Sequence, residues 1–313
     1  MQDGHDLRSS PRRTSMHEIT KTINACRQII ATGQRGVLVT VLSTRGSTYR
    51  RAGARAVISE SGDCTGAISG GCIENDLRER ADIWQESAPP RVLMYDATRP
   101  DDIVFGLGLG CRGVMELLLE PFDAARPPRI INEFRWNGRR PVTWSTMLDG
   151  RVLMTESIAP EPSLVIFGGG PDVAPVARIA EAVGWRVAVV RPRDVHPEEV
   201  AEKVDLGAFD AAVIMTHNYL YDLTLLSSTL PSSIEYVGLL GPKSRGEELL
   251  AQVENLAPPV RAKLHSPVGL DIGADTPEEI ALSIVAEVQA VLRQRSAVFL
   301  RDASGPIHEI ACA

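Results

Sequence analysis

Apolar positions recur along this chain in two periods, and the change between them divides it. Ile19, Ile23, Cys26 and Ile30 fall on one face at helical spacing, which predicts a helix from Met16 to Thr32 ended by Gly33 and Gly36. Val37 to Leu42 is an unbroken apolar run and Ala54 to Ser59 a second, both read as strands, with Ser61-Gly62-Asp63 as a turn before a third short run. The loop between the first two, Thr44 to Arg51, is basic and polar. A glycine-rich stretch, Gly66 to Glu74, leads into a helix to about Trp84; a second, Gly106 to Gly113, feeds a strand from Val114 to Leu119. From Pro121 to Pro162 proline, arginine and tryptophan interrupt the pattern, so an irregular connector with one or two hairpins is expected over 123–162.

Beyond this point strand and helix alternate. Strands are predicted at Leu164–Phe167, Trp185–Val190, Ala211–Met215 and Ile234–Leu240, with a helix face of Val173, Val176, Ala177, Ala180 and Val183 closed by Gly184. Thr276-Pro277-Glu278-Glu279 combines a threonine cap, proline at the first helical position and a glutamate three residues on, which opens a helix running to about Arg293. Repeated βα units imply a parallel sheet covered on both faces. The fold class is therefore α/β: an N-terminal α/β domain over 16–122, after a polar lead at 1–15 read as disordered, and a Rossmann-like domain over 163–313.

A chain of 313 residues suits two cores better than one. With 44% apolar and 23% charged residues it is an ordinary globular composition. No apolar run reaches the roughly 20 residues of a membrane span, and the N-terminus lacks the apolar core of a signal peptide. A net charge of −7 and a pI near 5.5 argue against non-specific nucleic-acid binding. Five scattered cysteines, Cys26, Cys64, Cys72, Cys111 and Cys312, make a poor disulfide framework, and neither CxxC nor HExxH occurs, so a cytoplasmic protein without structural zinc is expected.

Several places could carry chemistry. Gly168-Gly169-Gly170 joins an apolar strand to a helix, as a diphosphate-binding turn does; the third fingerprint position holds Val173, and Pro171 removes one N–H donor. A tight βα turn without ligand is the plainer reading. Val190 is followed by Arg191-Pro192-Arg193 where an acid would hold ribose; these arginines suit a phosphate, or are solvated charges. Cys72 follows Gly70-Gly71 at a helix start carrying Glu74, where the helix N-terminus favours thiolate; Cys111 lies in the second glycine loop beside Gly110. Both could equally be small buried thiols. Cys26 reads as core. Thr216-His217-Asn218, with Asp222 further on, follows a strand end where open α/β sheets place ligand contacts; His217 could act as acid or base, while Asn218 or Asp222 could simply cap the next helix.

Taken in order, these motifs resemble the XdhC/CoxI family of accessory factors for xanthine dehydrogenase, CO dehydrogenase and related molybdenum hydroxylases. The resemblance is carried by Ser43 to Thr48 with Ala52 to Arg55, Ile68 to Glu74, Gly110 to Gly113 with Glu116 to Pro121, Met215 to Asn218, Tyr236 to Gly241, Pro267 to Gly273, and Thr276 to Ala281. It implies a chaperone that binds the molybdenum cofactor (molybdopterin), assists its sulfuration by a cysteine desulfurase and passes it to an apo-hydroxylase. Cys72, Cys111 and His217 are then the candidate reactive residues. Gly70, Gly71, Glu74, Gly110, Gly168, Gly169, Gly170, Arg191, Thr216, Asn218 and Gly241 are the candidate cofactor contacts. A homodimer is expected by the same resemblance. Pro171 and Arg112 depart from the family pattern, where histidine and glycine are usual. Measured against that pattern, the chain between Trp185 and Ala211 is also shorter than expected, so the Rossmann-like domain is read as shortened, without a third strand and the segment carrying the ribose-binding acid. The alternative is an NAD(P)-dependent oxidoreductase on the same scaffold, with Arg191 or Arg193 holding a 2′-phosphate.

Overall fold

The computed structural model describes residues 13–85, 87–98, 113–136, 138, 140–254 and 256–302. The chain divides into two compact units, Met1–Pro160 and Glu161–Ala313.

The first unit opens with β1 (Arg13–Ser15) and α1 (Met16–Ala31), followed by β2 (Gly36–Gly46), β3 (Arg55–Ser59), β4 (Cys64–Gly66) and α2 (Cys72–Glu79). It continues through β5 (Arg91–Asp96), β6 (Gly113–Phe122), α3 (Arg129–Glu133), β7 (Val142–Leu148) and β8 (Arg151–Ala159). Five strands form an antiparallel sheet in the order β4-β3-β2-β6-β5. Both faces of its centre are covered, which is why β2 reads as an unbroken apolar run. Val37, Val39 and Val41 join one core with Ala56, Ile58, Ile73 and Leu117. Leu38 joins a second core with Met16, Ile19, Cys26 and Ile130. The predicted face of α1 is the face that packs: Ile19 and Cys26 are fully buried, with Ile23 and Ile30 beside them.

Two stretches differ from the sequence expectation. Thr14 and Ser15, read as part of a disordered lead, lie in β1, which pairs in parallel with β8. The stretch read as an irregular connector holds a hairpin as expected, β7–β8, but also α3, and with β1 its strands make a three-stranded sheet within the first unit. The physical tie is a buried ion pair. Arg55 and Glu156 are each 1% exposed and hydrogen-bonded to one another. Thr14 Oγ1 donates to the same carboxylate, and Arg55 donates to the Gly53 carbonyl at 2.8 Å. Beside this pair a shallow cleft is lined by Thr40, Glu120, Arg129 and Trp144 among others.

The second unit runs β9 (Ser163–Gly168), α4 (Val173–Ala182), β10 (Arg186–Val190), α5 (Val200–Lys203), β11 (Ala211–Met215) and α6 (Tyr219–Thr229). Then come β12 (Tyr236–Leu239), α7 (Lys243–Gln252), α8 (Pro258–Arg261), β13 (Leu264–His265) and α9 (Pro277–Leu292). The five strands are parallel, in the order β10-β9-β11-β12-β13. Leu164, Ile166 and Val213 pack under α4 and α9; Val165, Phe167 and Ile214 pack under α6 and α7 on the opposite face. The Rossmann-like layering read from the alternation is thus the observed one. No strand lies between β10 and β11 in the chain, so β10 ends the sheet where a complete unit would continue. The capping box forms as predicted: Glu279 N–H donates to Thr276 Oγ1 at 3.3 Å, and Thr276 N–H to Glu279 Oε2 at 3.0 Å.

Candidate functional site

Strand order in the second unit reverses at β9, with β10 on one side and β11 on the other. Such a switch point opens a crevice at the carboxyl ends of the strands. Here Gly168 pairs with Met215, which brings the glycine turn and the loop after β11 side by side. A Cβ on Gly168 would lie 2.6 Å from the Met215 carbonyl oxygen and 3.0 Å from Val173 Cγ2, so only glycine fits. A Cβ on Gly169 meets nothing nearer than Arg191 Cγ at 3.8 Å. One on Gly170 would collide with Asp172 Oδ1.

That carboxylate is the residue the sequence reading missed. Asp172 precedes α4 without capping it. Its Oδ2 lies 2.8 Å from His217 Nε2, and its Oδ1 is shut from solvent with no hydrogen-bond partner. The signal available in sequence was an acid inside the glycine fingerprint, where a bound diphosphate would be repelled. His217 adopts a left-handed backbone, φ 56°, uncommon outside glycine. Its neighbours fix it there. Thr216 Oγ1 donates to Asp222 Oδ1 at 2.5 Å, and Asn218 Oδ1 caps α6 by accepting from Tyr221 N–H at 3.1 Å. Asp222 is 1% exposed and ion-paired with Arg245 of α7. Burial raises its carboxyl above the usual range, against the opposing pull of Thr216 and Arg245. Gly241 takes a positive φ of 145° just before α7, where a Cβ would stand 3.4 Å from Arg245 Cδ. Arg191, after β10, is half-exposed and 3.7 Å from Asp194. Gly168, Thr216, Asn218 and Gly241 thus each have a structural task, and Arg191 remains reachable.

In the first unit, Gly71 takes φ 113° and α2 begins at Cys72. A Cβ on Gly70 or Gly71 would meet nothing within 4 Å, so the turn is open in front of the thiol. Cys72 is partly exposed and free. Glu74, by contrast, points inward. It is 4% exposed and accepts from Ile68 N–H at 2.8 Å, from Ser69 N–H at 2.9 Å and from the Ser69 hydroxyl. Ser69 Oγ accepts in turn from Gly71 N–H at 3.0 Å and Ile73 N–H at 3.2 Å. Burial opposes ionisation of Glu74, but these donors outweigh it and hold the carboxyl below its ordinary value. Glu74 therefore shapes the turn that presents Cys72. Cys26 is core, its thiol pushed up to about 12 by burial, and burial also raises Cys64. Gly110 and Cys111 lie outside the described residues. Among the described residues no cluster of three metal-ligating side chains occurs, and no helix is long and apolar enough to cross a membrane.

Comparison with known proteins follows the same division. Residues 29–96 match the model of the XdhC and CoxI family, and residues 164–288 that of the XdhC Rossmann domain. The chain is 29% identical to a Bacillus subtilis (strain 168) protein named as a probable subunit of xanthine dehydrogenase, over 82% of this chain and 92% of that one. It is 25% identical to the Escherichia coli (strain K12) "Molybdenum cofactor insertion chaperone PaoD", over 84% of this chain and 86% of the relative. A crystal structure from Bacillus halodurans, described as a xanthine dehydrogenase, superimposes with a TM-score of 0.72 at 29% identity, covering 88% of this chain and 97% of that one. The chain belongs to the XdhC and CoxI family, with an XdhC-type Rossmann domain as its second unit.

Proposed function

We propose that the protein is a maturation factor that binds the molybdenum cofactor and delivers it to an apo molybdenum hydroxylase of the xanthine dehydrogenase type. Family membership and the likeness to a relative named as a molybdenum cofactor insertion chaperone support this. The observation that carries it is the thiol of Cys72, free and partly exposed beside the open Gly70-Gly71 turn.

The donor set fits the group. A thiol is a soft ligand suited to molybdenum and its sulfur, and two residues without side chains leave room for a bulky pterin beside it. Cys72 would hold the metal–sulfur end, with Cys111 and Gly110 as the second contributors. When bound, the cofactor supplies the metal centre at which the client enzyme does its chemistry. The residues here have only to hold and release it. Glu74 and Ser69 keep the turn in one shape, so that Cys72 is presented without reordering. The client apo-enzyme, a cysteine desulfurase and a second copy of this chain are the proposed partners, and the cytoplasm the proposed site of action.

The test is co-purification from cells that make the cofactor, read as the fluorescent oxidation product of the pterin and as molybdenum by mass spectrometry. Wild-type protein should carry both, and Cys72→Ser, with its fold checked by circular dichroism, should lose most of each. Absence of pterin from the wild-type protein would overturn the proposal.

A further inference from the structure

A Rossmann glycine turn takes a dinucleotide through backbone N–H groups at a helix N-terminus, which receive the diphosphate, and through an acid after the second strand, which receives the ribose. Each part is altered here. Arg191 stands where the acid would be, just after a strand that ends the sheet. Pro171 has no N–H to give. The Asp172 carboxylate bends back over Gly170, into space that a Cβ at that position would need. The residues present do not fit a dinucleotide.

We infer that Asp172 and His217 form an internal lock on the glycine turn: the carboxylate sits where a diphosphate would sit, so this Rossmann unit excludes dinucleotides and other diphosphates. Three independent features hold the lock. Gly170 contributes no side chain, which leaves the carboxylate its place. The imidazole approaches from the neighbouring strand end and binds Oδ2 at 2.8 Å. The left-handed backbone that aims it is fixed on one side by Thr216 and Asp222 and on the other by the Asn218 cap. The second carboxylate oxygen has no hydrogen-bond donor and no solvent, so the imidazole answers only one side of the carboxylate. A like charge brought against it in this solvent-accessible crevice loses about tenfold in affinity.

The experiment is isothermal titration of the full chain with pyrophosphate, ADP, NAD and NADPH. The wild-type protein should show no saturable binding up to millimolar concentration. Asp172→Asn, which keeps the shape and removes the charge, should gain at least about tenfold in affinity for pyrophosphate and ADP. Should that variant fail to fold, Asp172→Ser, whose shorter side chain vacates the turn, takes its place. Micromolar binding by the wild-type protein overturns the lock. So does a folded, charge-free variant that binds pyrophosphate and ADP no better than wild type. Neither result bears on whether pterin co-purifies, so this inference and the proposed function fail separately.

Discussion

Glu120 stands directly across the β2–β6 ladder from Leu38 and borders the cleft shared with Arg55 and Arg129. An ionisable group is thereby set beside the buried Leu38. Burial pushes its carboxyl up to about 7, although Arg55 and Arg129 pull the other way. The folded value lies above the unfolded one of about 4.3, so the fold holds this proton more tightly than the unfolded chain does. The contribution is fully present below about pH 4.3 and is lost as pH rises through 7, amounting to about 4 kcal/mol at most. Urea denaturation of Glu120→Gln should show a gain over wild type at pH 8 that disappears near pH 4.5. An equal effect at both values would refute the assignment.

The turn before Cys72 should open when its internal clamp is cut. Glu74→Ala leaves the Ile68 and Ser69 N–H groups buried without an acceptor, a loss of about 2–4 kcal/mol. Hydrogen exchange at these two amides should accelerate, while amides of β2 in the same unit stay protected. Because the Glu74 carboxyl is held below its ordinary value, its contribution is present above about pH 4.3 and lost as pH falls through the folded value. Acid should therefore loosen this turn. Unchanged exchange at Ile68 in the variant would count against the clamp.

Breaking the buried pair from one side should be costly. Glu156→Leu strands the Arg55 guanidinium, and Arg55→Met strands the carboxylate; each should lose about 3–5 kcal/mol. The double substitution should lose clearly less than the sum of the two, because no charge is left unanswered. Additive losses in a denaturant cycle would mean that the two residues do not act as a pair.

Adjacent glycines should respond oppositely to a single methyl. Gly168→Ala forces a Cβ against the Met215 carbonyl and should cost about 2–3 kcal/mol. Gly169→Ala meets only ordinary contact distances and should stay within about 0.5 kcal/mol of wild type. Thermal melts of the two variants decide this, and equal losses would show that the close approach of β9 and β11 is not what selects glycine at 168.

What the sequence disclosed follows the range of the interactions involved. The Thr276–Glu279 capping box, the apolar face of α1 and the strand–helix alternation of the second unit are set by residues a few positions apart, so their spacing is enough. The missing strand after β10 could also be read, because a short connection has no room for it. The pairing of β1 with β8 could not be read, since its partners stand at opposite ends of the first unit. Nor could the contact of Asp172 with His217, which needs two strand ends to meet before either side chain has a partner. Glu74 illustrates a further limit. A carboxylate beside glycines reads equally well as a ligand contact or as a clamp, and only its inward orientation decides between them.

The parallel pairing of β1 with β8 orders events in time as well as space. Thr14 leaves the ribosome well before the strand and carboxylate that secure it, Ile158 and Glu156, which arrive only at the end of the same unit. Arg55, later in the chain, waits for the same carboxylate as its counter-charge. Non-local contacts of this kind slow folding, because the chain between them must be gathered before they reward it. The second unit sets β9 against β10 across one helix. During synthesis the β1–β8 pairing and the Arg55–Glu156 pair can therefore close only after the last strand of the first unit has emerged.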